Sequence, residues 1–210
     1  MNAPGLRERQ KSERRRRIEA AARAVFREKG YDAATTREIA ERAEVSIGTL
    51  FAYAADKRDL LTMVYRDELR ELTETTFAGV PAGVPFLDQL VHVLEPRFAY
   101  WSADPALARH AVRETFAAIY PAGGSPVEGE NAPPDQFLRT QLTALVRANQ
   151  QAGRVAAGDD AELVARVILD IYLSENRAWL AEAMPQLDVG IGRLRAALEL
   201  ALRALIPDPA

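Results

Sequence analysis

The chain has 210 residues, of which 48% are apolar and 27% charged, a composition typical of a globular protein with a substantial core. It contains no cysteine and only two histidines, His92 and His110, which excludes disulfides and thiolate chemistry and leaves little material for histidine chemistry. No segment approaches the roughly 18 consecutive apolar residues of a membrane span, so we expect no membrane association and a cytoplasmic location.

Charge is distributed unevenly along the chain. Residues 1–58 hold 14 Lys and Arg against 9 Asp and Glu, a net charge of +5, which leaves −8 for residues 59–210. A basic segment joined to an acidic one is typical of a phosphate-binding module attached to a part that does not contact nucleic acid. Chance clustering around the run Arg14–Arg17 would produce the same asymmetry, so charge alone does not decide the function.

The first predicted element is a helix over residues 12–29. Residues 1–11 lack apolar periodicity and predict a flexible basic arm. The helix ends where Lys29 precedes Gly30, a cation followed by a residue that tolerates positive φ. One apolar stripe at helical spacing predicts its buried face: Ile18, Ala21, Ala22, Val25 and Phe26.

Two short helices and one longer helix follow. Thr35 and Glu38 have the spacing of a capping box, which predicts that a helix begins there. This helix ends near Glu44, and Ser46 caps a second short helix that extends to about Tyr53. Asp56 begins the longer helix.

The remaining sequence predicts further helices separated by Pro- and Gly-rich segments. Pro96 should kink or end the helix in which it lies. No segment alternates with the period of two that strands require, so the predicted fold is all-α with about nine helices. The later helices are predicted at residues 86–102, 105–120, 134–152, 160–183 and 188–206.

Two short helices joined by a tight turn are the parts of a helix-turn-helix, whose second helix enters the major groove of DNA. Over about residues 14–65 the sequence also resembles the DNA-binding signature of the TetR family, in the same order and with the same spacing. The matching residues are Gly30-Tyr31, Thr35–Ala40, Val45–Phe51, Tyr53 and Asp56-Lys57.

The resemblance implies a role for each matched polar or groove-facing residue. Arg37 would contact a base edge or a neighbouring phosphate, and Gly48 would let the backbone approach the DNA closely. Ile47 and Phe51 would contact thymine methyl groups. The full groove-facing set is Ser46, Ile47, Gly48 and Phe51, and the phosphate-binding set is Thr36, Thr49, Tyr53 and Lys57.

The basic residues before the helix-turn-helix have two interpretations. The run Arg14–Arg17 is either a solvated face or a contact to phosphate, and the arm that carries Arg7, Arg9 and Lys11 is a candidate for the minor groove. Three positions depart from the family pattern. Glu44 replaces a glycine of the turn, Phe51 replaces a tyrosine, and Ala54 replaces a large aromatic residue.

The resemblance further implies a helix-turn-helix domain over 12–55 and an effector-binding and dimerisation domain over 56–210. The last two helices, about 160–183 and 188–206, would form a homodimer interface, although both apolar faces could serve the internal core alone. The middle helices would enclose a pocket for an unidentified small-molecule effector. Its candidate lining residues are His92, Phe98, Trp101, Arg113, Phe116, Tyr120, Phe137, Tyr172 and Trp179.

These features together predict a ligand-responsive transcriptional regulator that binds a palindromic operator as a dimer. Repression is the commoner mode in the family, so a repressor is expected. No cofactor and no metal site are expected. An enzyme is not expected, because the chain has no Gly-rich phosphate loop and no Gly-x-Ser-x-Gly motif. The alternatives are an activator and a ligand- or protein-binding module whose helix-turn-helix no longer binds DNA.

Overall fold

The computed structural model describes residues 5–119 and 134–205, and within these ranges the chain forms nine helices and no strand, which confirms the all-α prediction. The chain divides into two compact units between Asp67 and Glu68, within the fourth helix. No helix in the described ranges is long and apolar enough to cross a membrane. The helices are α1 Leu6–Lys29, α2 Thr36–Arg42, α3 Ile47–Phe51, α4 Lys57–Ala78, α5 Phe86–Ser102, α6 Pro105–Ile119, α7 Pro134–Gln151, α8 Ala161–Leu180 and α9 Leu187–Leu202.

Helix α1 is longer than the apolar pattern predicts. It begins at Leu6, so residues 6–11 are helical and not an extended arm. The Arg, Glu, Gln and Lys residues of this segment have high intrinsic helix propensity, and they continue the helix without adding to its apolar stripe. The predicted stripe itself is confirmed, because Ile18, Ala21, Ala22, Val25 and Phe26 are all buried.

The first unit is a helix-turn-helix packed on α1 and the start of α4. Ile39 of α2 and Leu50 of α3 are completely buried, and they anchor the two short helices in one core. The turn between these helices contains Glu44 at φ 54°, where a residue with a side chain is strained by roughly 1–2 kcal/mol. The family's glycine at this position would avoid that cost.

The predicted helix starts are confirmed by their caps. Thr35 forms the complete capping box with Glu38, and the Ser46 hydroxyl accepts the backbone N–H of Thr49. Asp56 accepts the backbone N–H groups of Arg58 and Asp59 at the start of α4. Each cap satisfies donors that the first turn of a helix cannot satisfy itself.

The second unit contains the rest of α4 and α5 to α9; in its core α8 packs against α6, α7 and α9, and α5 packs against α9. Pro96 lies inside α5 and does not end it, since the helix continues to Ser102. Helix α9 approaches α8 closely at Gly190, where an added Cβ would lie 2.8 Å from the ring of Trp179. The Trp179 indole N–H donates to the carbonyl of Gln186, just before α9 begins.

Candidate nucleic-acid interface and buried polar cluster

The start of α2 presents one cation to solvent. Arg37 is exposed and has no hydrogen bond or ion pair with the described residues, and Thr36 beside it is half-buried. Glu38 holds the helix start in place, because it accepts from Lys29 and from both the backbone N–H and the hydroxyl of Thr35. These bonds, that from Lys29 first, hold the pKa of Glu38 below its usual value.

Helix α3 exposes two large apolar side chains. Ile47 is 42% exposed and Phe51 is 47% exposed, whereas Leu50 on the inward face is completely buried. The hydroxyls of Ser46 and Thr49 lie 2.8 Å apart at the helix start. Apolar side chains exposed beside hydroxyl groups match what the major groove offers, thymine methyls beside hydrogen-bonding base edges.

Gly48 leaves the surface of α3 open. An added Cβ would meet only the Ser46 hydroxyl, at 4.0 Å, so nothing inside the described chain requires glycine here. Gly48 also lines an open groove of about 740 Å³ between α1 and α3. We call this the α1–α3 groove; its lining residues are Arg7, Gln10, Lys11, Arg14, Ser46, Gly48, Thr49, Ala52 and Tyr53.

Tyr53 and Lys57 differ in how many hydrogen bonds their polar groups already make within the protein. The Tyr53 hydroxyl makes only a long contact, 3.4 Å, with the backbone carbonyl of Lys11. The Lys57 ammonium instead donates to the carbonyls of Tyr31, Asp32 and Ala34 at 2.8, 3.1 and 3.2 Å. All three of its N–H donors are therefore engaged, and a phosphate contact would require at least one of these bonds to break.

Every predicted DNA-contacting residue is thus accessible, since none of the nine is buried. The structure brings Ser46, Gly48, Thr49 and Tyr53 together in the α1–α3 groove. Arg37 lies outside it, on α2.

Four of the predicted effector residues form one buried aromatic cluster in the second unit. The Phe98 ring lies 5.9 Å from that of Tyr172 and 5.1 Å from that of Trp179, and the Trp101 indole N–H donates to the Tyr172 hydroxyl at 3.2 Å. We call these four residues the aromatic cluster. All four are nearly or completely buried.

The other predicted effector residues do not join this cluster. His92 and Arg113 are exposed, and His92 lies off the buried stripe of α5 that Val93 and Phe98 share. Phe137 is half-buried, with the guanidinium of Arg70 4.6 Å from its ring centre. The side chain of Phe116 and the whole of Tyr120 lie outside the described residues.

A polar network that the sequence analysis missed adjoins the aromatic cluster. The fully buried Arg97 donates from Nε to the Tyr172 hydroxyl and from Nη1 to the Thr73 hydroxyl, both at 3.1 Å, and forms an ion pair with Asp135. Burial raises the pKa of the Asp135 carboxyl, although Arg97 opposes that rise. The sequence does contain one signal that Arg97 is buried: it stands four residues after Val93 and four before Trp101, on the apolar stripe of α5.

Asn176 is the second feature that the sequence analysis missed. It is completely buried on α8, four residues after Tyr172 and three before Trp179. Neither its amide nitrogen nor its amide oxygen has a hydrogen-bond partner among the described residues. A buried polar group in this state costs about 1–3 kcal/mol unless a ligand or solvent satisfies it.

Comparisons with known proteins find one matching family and several relatives of this chain. Residues 18–64 match the family described as bacterial regulatory proteins, tetR family. The transcriptional repressor KstR of Mycobacterium tuberculosis is 29% identical over 93% of this chain and 82% of its own length. An HTH-type transcriptional regulator of Mycobacterium bovis, Mb0790c, is 34% identical over 63% of this chain and 69% of its own length.

A solved structure shares the fold over nearly the whole length. FadR of Thermus thermophilus, a transcriptional repressor crystallised with lauroyl-CoA, superposes with a TM-score of 0.73 at 22% identity. The alignment covers 93% of this chain and 97% of that one.

Proposed function

The chain belongs to the TetR family of bacterial regulatory proteins and is a transcriptional regulator, not an enzyme. We propose that it is a ligand-responsive repressor that binds a palindromic operator as a dimer. The observation that carries the proposal is the outer surface of α3, where Ile47 and Phe51 are exposed beside the Ser46 and Thr49 hydroxyls. A DNA target of this kind would place the protein in the cytoplasm.

The proposed contacts divide by chemistry. Ser46, Ile47, Gly48 and Phe51 would face the base edges of the major groove, and Arg37 would contact a base or a phosphate from α2. Thr36, Thr49 and Tyr53 would bind phosphates and fix the orientation of the first unit. Lys57 is the least available of the predicted contacts, because its ammonium already holds the 31–34 loop.

Selection from a random duplex library with the purified protein tests DNA binding. We expect a palindromic site, because two copies related by a two-fold axis read two half-sites. Arg37→Ala should relax the sequence preference at one position of each half-site and weaken the binding free energy by about 1–3 kcal/mol. Arg42→Ala is the matched control: it lies in the same short helix but pairs with Glu28, and it should leave the selected sequence unchanged.

The same selection separates the proposal from its main alternative. Enrichment of no sequence even at low salt would overturn DNA-binding repression and leave a ligand- or protein-binding module with a degenerate helix-turn-helix. Repression itself is tested by placing the selected site over a promoter and measuring transcript with and without the protein. An increase in transcript would make the protein an activator.

Dimerisation is proposed through α8 and α9. Both helices expose apolar side chains that the core of a single chain does not use: Leu163 and Val167 on α8, and Val189 and Leu200 on α9. Leu163 and Val167 stand four residues apart and therefore share one face of α8. Exposed apolar surface on neighbouring helices is typical of an interface between proteins.

The proposed effector site is the region around the aromatic cluster and Asn176. The rings supply apolar surface, and the amide of Asn176, which has no hydrogen-bond partner among the described residues, offers both a donor and an acceptor to a polar group of the effector. An effector that binds one conformation of the dimer better than another would shift the population and release the operator.

A thermal-shift screen followed by an operator-release assay tests this second part. Acyl-CoA thioesters are the first probes, because the structurally similar FadR binds lauroyl-CoA. We expect at least one compound both to raise the melting temperature and to weaken operator binding. Stabilising compounds that leave operator affinity unchanged would contradict ligand-responsive repression.

A further inference from the structure

The first turns of α1 carry three cations on one face. Arg7, Lys11 and Arg14 are separated by four and three residues, so they lie above one another on the same side of the helix. All three line the α1–α3 groove, opposite Ser46 and Tyr53. The groove therefore joins the start of α1 to the surface proposed to contact DNA.

None of these three cations has a partner in the described part of the chain. Arg7, Lys11 and Arg14 are exposed, and their side chains make no hydrogen bond or ion pair with the described residues. Arg15, by contrast, pairs with Glu19 at 2.8 Å, and Arg17 lies 3.8 Å from Glu44. Lysine and arginine side chains held near each other without a carboxylate raise the local positive potential and attract anions.

The lining of the groove contains no carboxylate, and its other polar groups are hydroxyls and the amide of Gln10. Hydroxyl, amide, ammonium and guanidinium groups are those that proteins use to bind phosphate oxygens. The three cations on the α1 side of the groove, with no carboxylate beside them, suit the polyanionic backbone of DNA.

The helical state of residues 6–11 decides which part of the duplex these cations can reach. A helix with its side chains is about 10–12 Å across, whereas the minor groove of B-DNA is about 6 Å wide. The start of α1 therefore cannot enter the minor groove as an extended arm can. Its cations would instead lie along the outside of the duplex, beside the helix proposed to enter the major groove.

We propose that Arg7, Lys11 and Arg14 form a phosphate clamp that binds the DNA backbone flanking each half-site, independently of sequence. This inference rests on the proposed operator binding. The clamp adds up to three phosphate contacts for each chain to those of the helix-turn-helix, so it strengthens binding and its salt dependence without altering which bases are preferred.

The experiment compares two double variants by operator affinity over a range of salt concentrations. Arg7→Gln with Arg14→Gln removes two clamp cations. Arg9→Gln with Arg16→Gln is the matched control, with the same substitutions at the same spacing of seven residues on the opposite face of α1. The sequence alone leaves open whether Arg9 and Arg16 contact DNA, but neither lines the α1–α3 groove. Glutamine preserves helix propensity, so α1 should remain folded in both variants.

The clamp variant should lower the slope of log affinity against log salt by about 3.6, because the dimer loses four phosphate contacts, two from each chain, at about 0.9 for each phosphate that is no longer neutralised. If the two salt plots converge near 1 M, this change corresponds to binding about 4,000-fold weaker near 0.1 M. The control variant should retain the wild-type slope, and both should select the wild-type operator sequence.

Equal slopes for the two variants, with the wild type binding its operator normally, would overturn the clamp and leave the proposed function intact. Failure of the wild type to bind any selected sequence would instead overturn the proposed function. A changed base preference in the clamp variant would also contradict the proposal, because phosphate contacts carry no direct sequence information.

Discussion

Gly48 occupies a helical position in α3 where the chain itself leaves room for a side chain. Since an added Cβ would meet only the Ser46 hydroxyl at 4.0 Å, packing within the protein does not account for glycine at this position. Glycine inside a helix usually costs about 0.5–1 kcal/mol relative to alanine. Close approach of the backbone to DNA would explain why that cost is accepted.

Gly48→Ala should therefore change the stability of the fold and the affinity for DNA in opposite directions. We expect the free energy of unfolding to rise by about 0.5–1 kcal/mol, because alanine favours the helix. Operator affinity should fall about tenfold or more, because the new methyl group would occupy space needed by the DNA. Urea unfolding and a binding titration measure the two effects, and an unchanged affinity would mean that Gly48 does not face the groove.

Two buried asparagines allow a test of the effector site. Asn176 has no partner for its amide among the described residues, whereas the Asn149 amide donates to Gln89 and accepts from Arg154. Asn176→Leu should leave the ligand-free stability unchanged or raise it, because replacing an unsatisfied polar group by an apolar one of similar size removes a desolvation cost. The same variant should lose the response to the effector.

Asn149→Leu is the control for this comparison. It leaves the groups of Gln89 and Arg154 without their partner, so we expect a loss of about 1–3 kcal/mol in the free energy of unfolding. Retained effector response in Asn176→Leu would exclude its amide from the effector site. Equal destabilisation by both substitutions would show that Asn176 is satisfied in solution.

Among the helices, the crossing of α8 and α9 depends on one missing side chain. A Cβ at Gly190 would lie 2.8–3.0 Å from three ring atoms of Trp179, which is completely buried and cannot move aside. Gly190→Ala should therefore destabilise the protein by about 1–3 kcal/mol through overpacking, in spite of the higher helix propensity of alanine.

Gly192, two residues later in the same helix, provides the control. Nothing lies within 4 Å of the position that an added methyl group would take, so Gly192→Ala should stabilise the chain by about 0.5–1 kcal/mol. Thermal unfolding of both variants measures the difference. A Gly190→Ala variant as stable as the wild type would show that α9 shifts easily along α8.

The helices of the first unit could be predicted from sequence because each signal is local. The capping box of Thr35 and Glu38, the Ser46 cap and the stripe from Ile18 to Phe26 depend only on neighbouring residues, and all are confirmed. The extension of α1 to Leu6 was missed because polar helix formers produce no apolar stripe.

The buried polar groups of the second unit could not be predicted in the same way. Arg97 and Asp135 are 38 residues apart, and whether either is buried depends on how α5 and α7 pack. The residues predicted to line the effector pocket include Phe98, Tyr172 and Trp179, which are buried, but also His92, which is exposed. The spacing of apolar residues identifies the buried face of a helix. It does not show whether a polar residue on or beside that face is buried or exposed.

Operator binding by the assembled protein should depend on dimerisation. Leu163→Glu combined with Val167→Glu places two charges on the exposed apolar face of α8. We expect a monomer by light scattering, because burying unpaired charges in an interface is strongly unfavourable. Affinity for the palindromic site should fall by several orders of magnitude, since one half-site supplies only part of the contacts.

Leu6→Glu is the control for this variant, because it charges an apolar residue in α1 that is 74% exposed, more than Leu163 at 46% or Val167 at 38%. It should leave the molar mass unchanged. A double variant of α8 that remains dimeric would exclude this face from the interface.

The engagement of Lys57 by three carbonyl groups also affects how the protein can be attached to a surface. The chain has three lysines, Lys11, Lys29 and Lys57, and all lie in the first compact unit. Lys57 is held by the 31–34 loop and Lys29 by Glu38, so Lys11 in the α1–α3 groove is the side-chain amine most open to acylating reagents. Amine coupling to a sensor chip would therefore occupy the groove proposed to bind DNA, and binding kinetics are better measured with the duplex immobilised and the protein in solution.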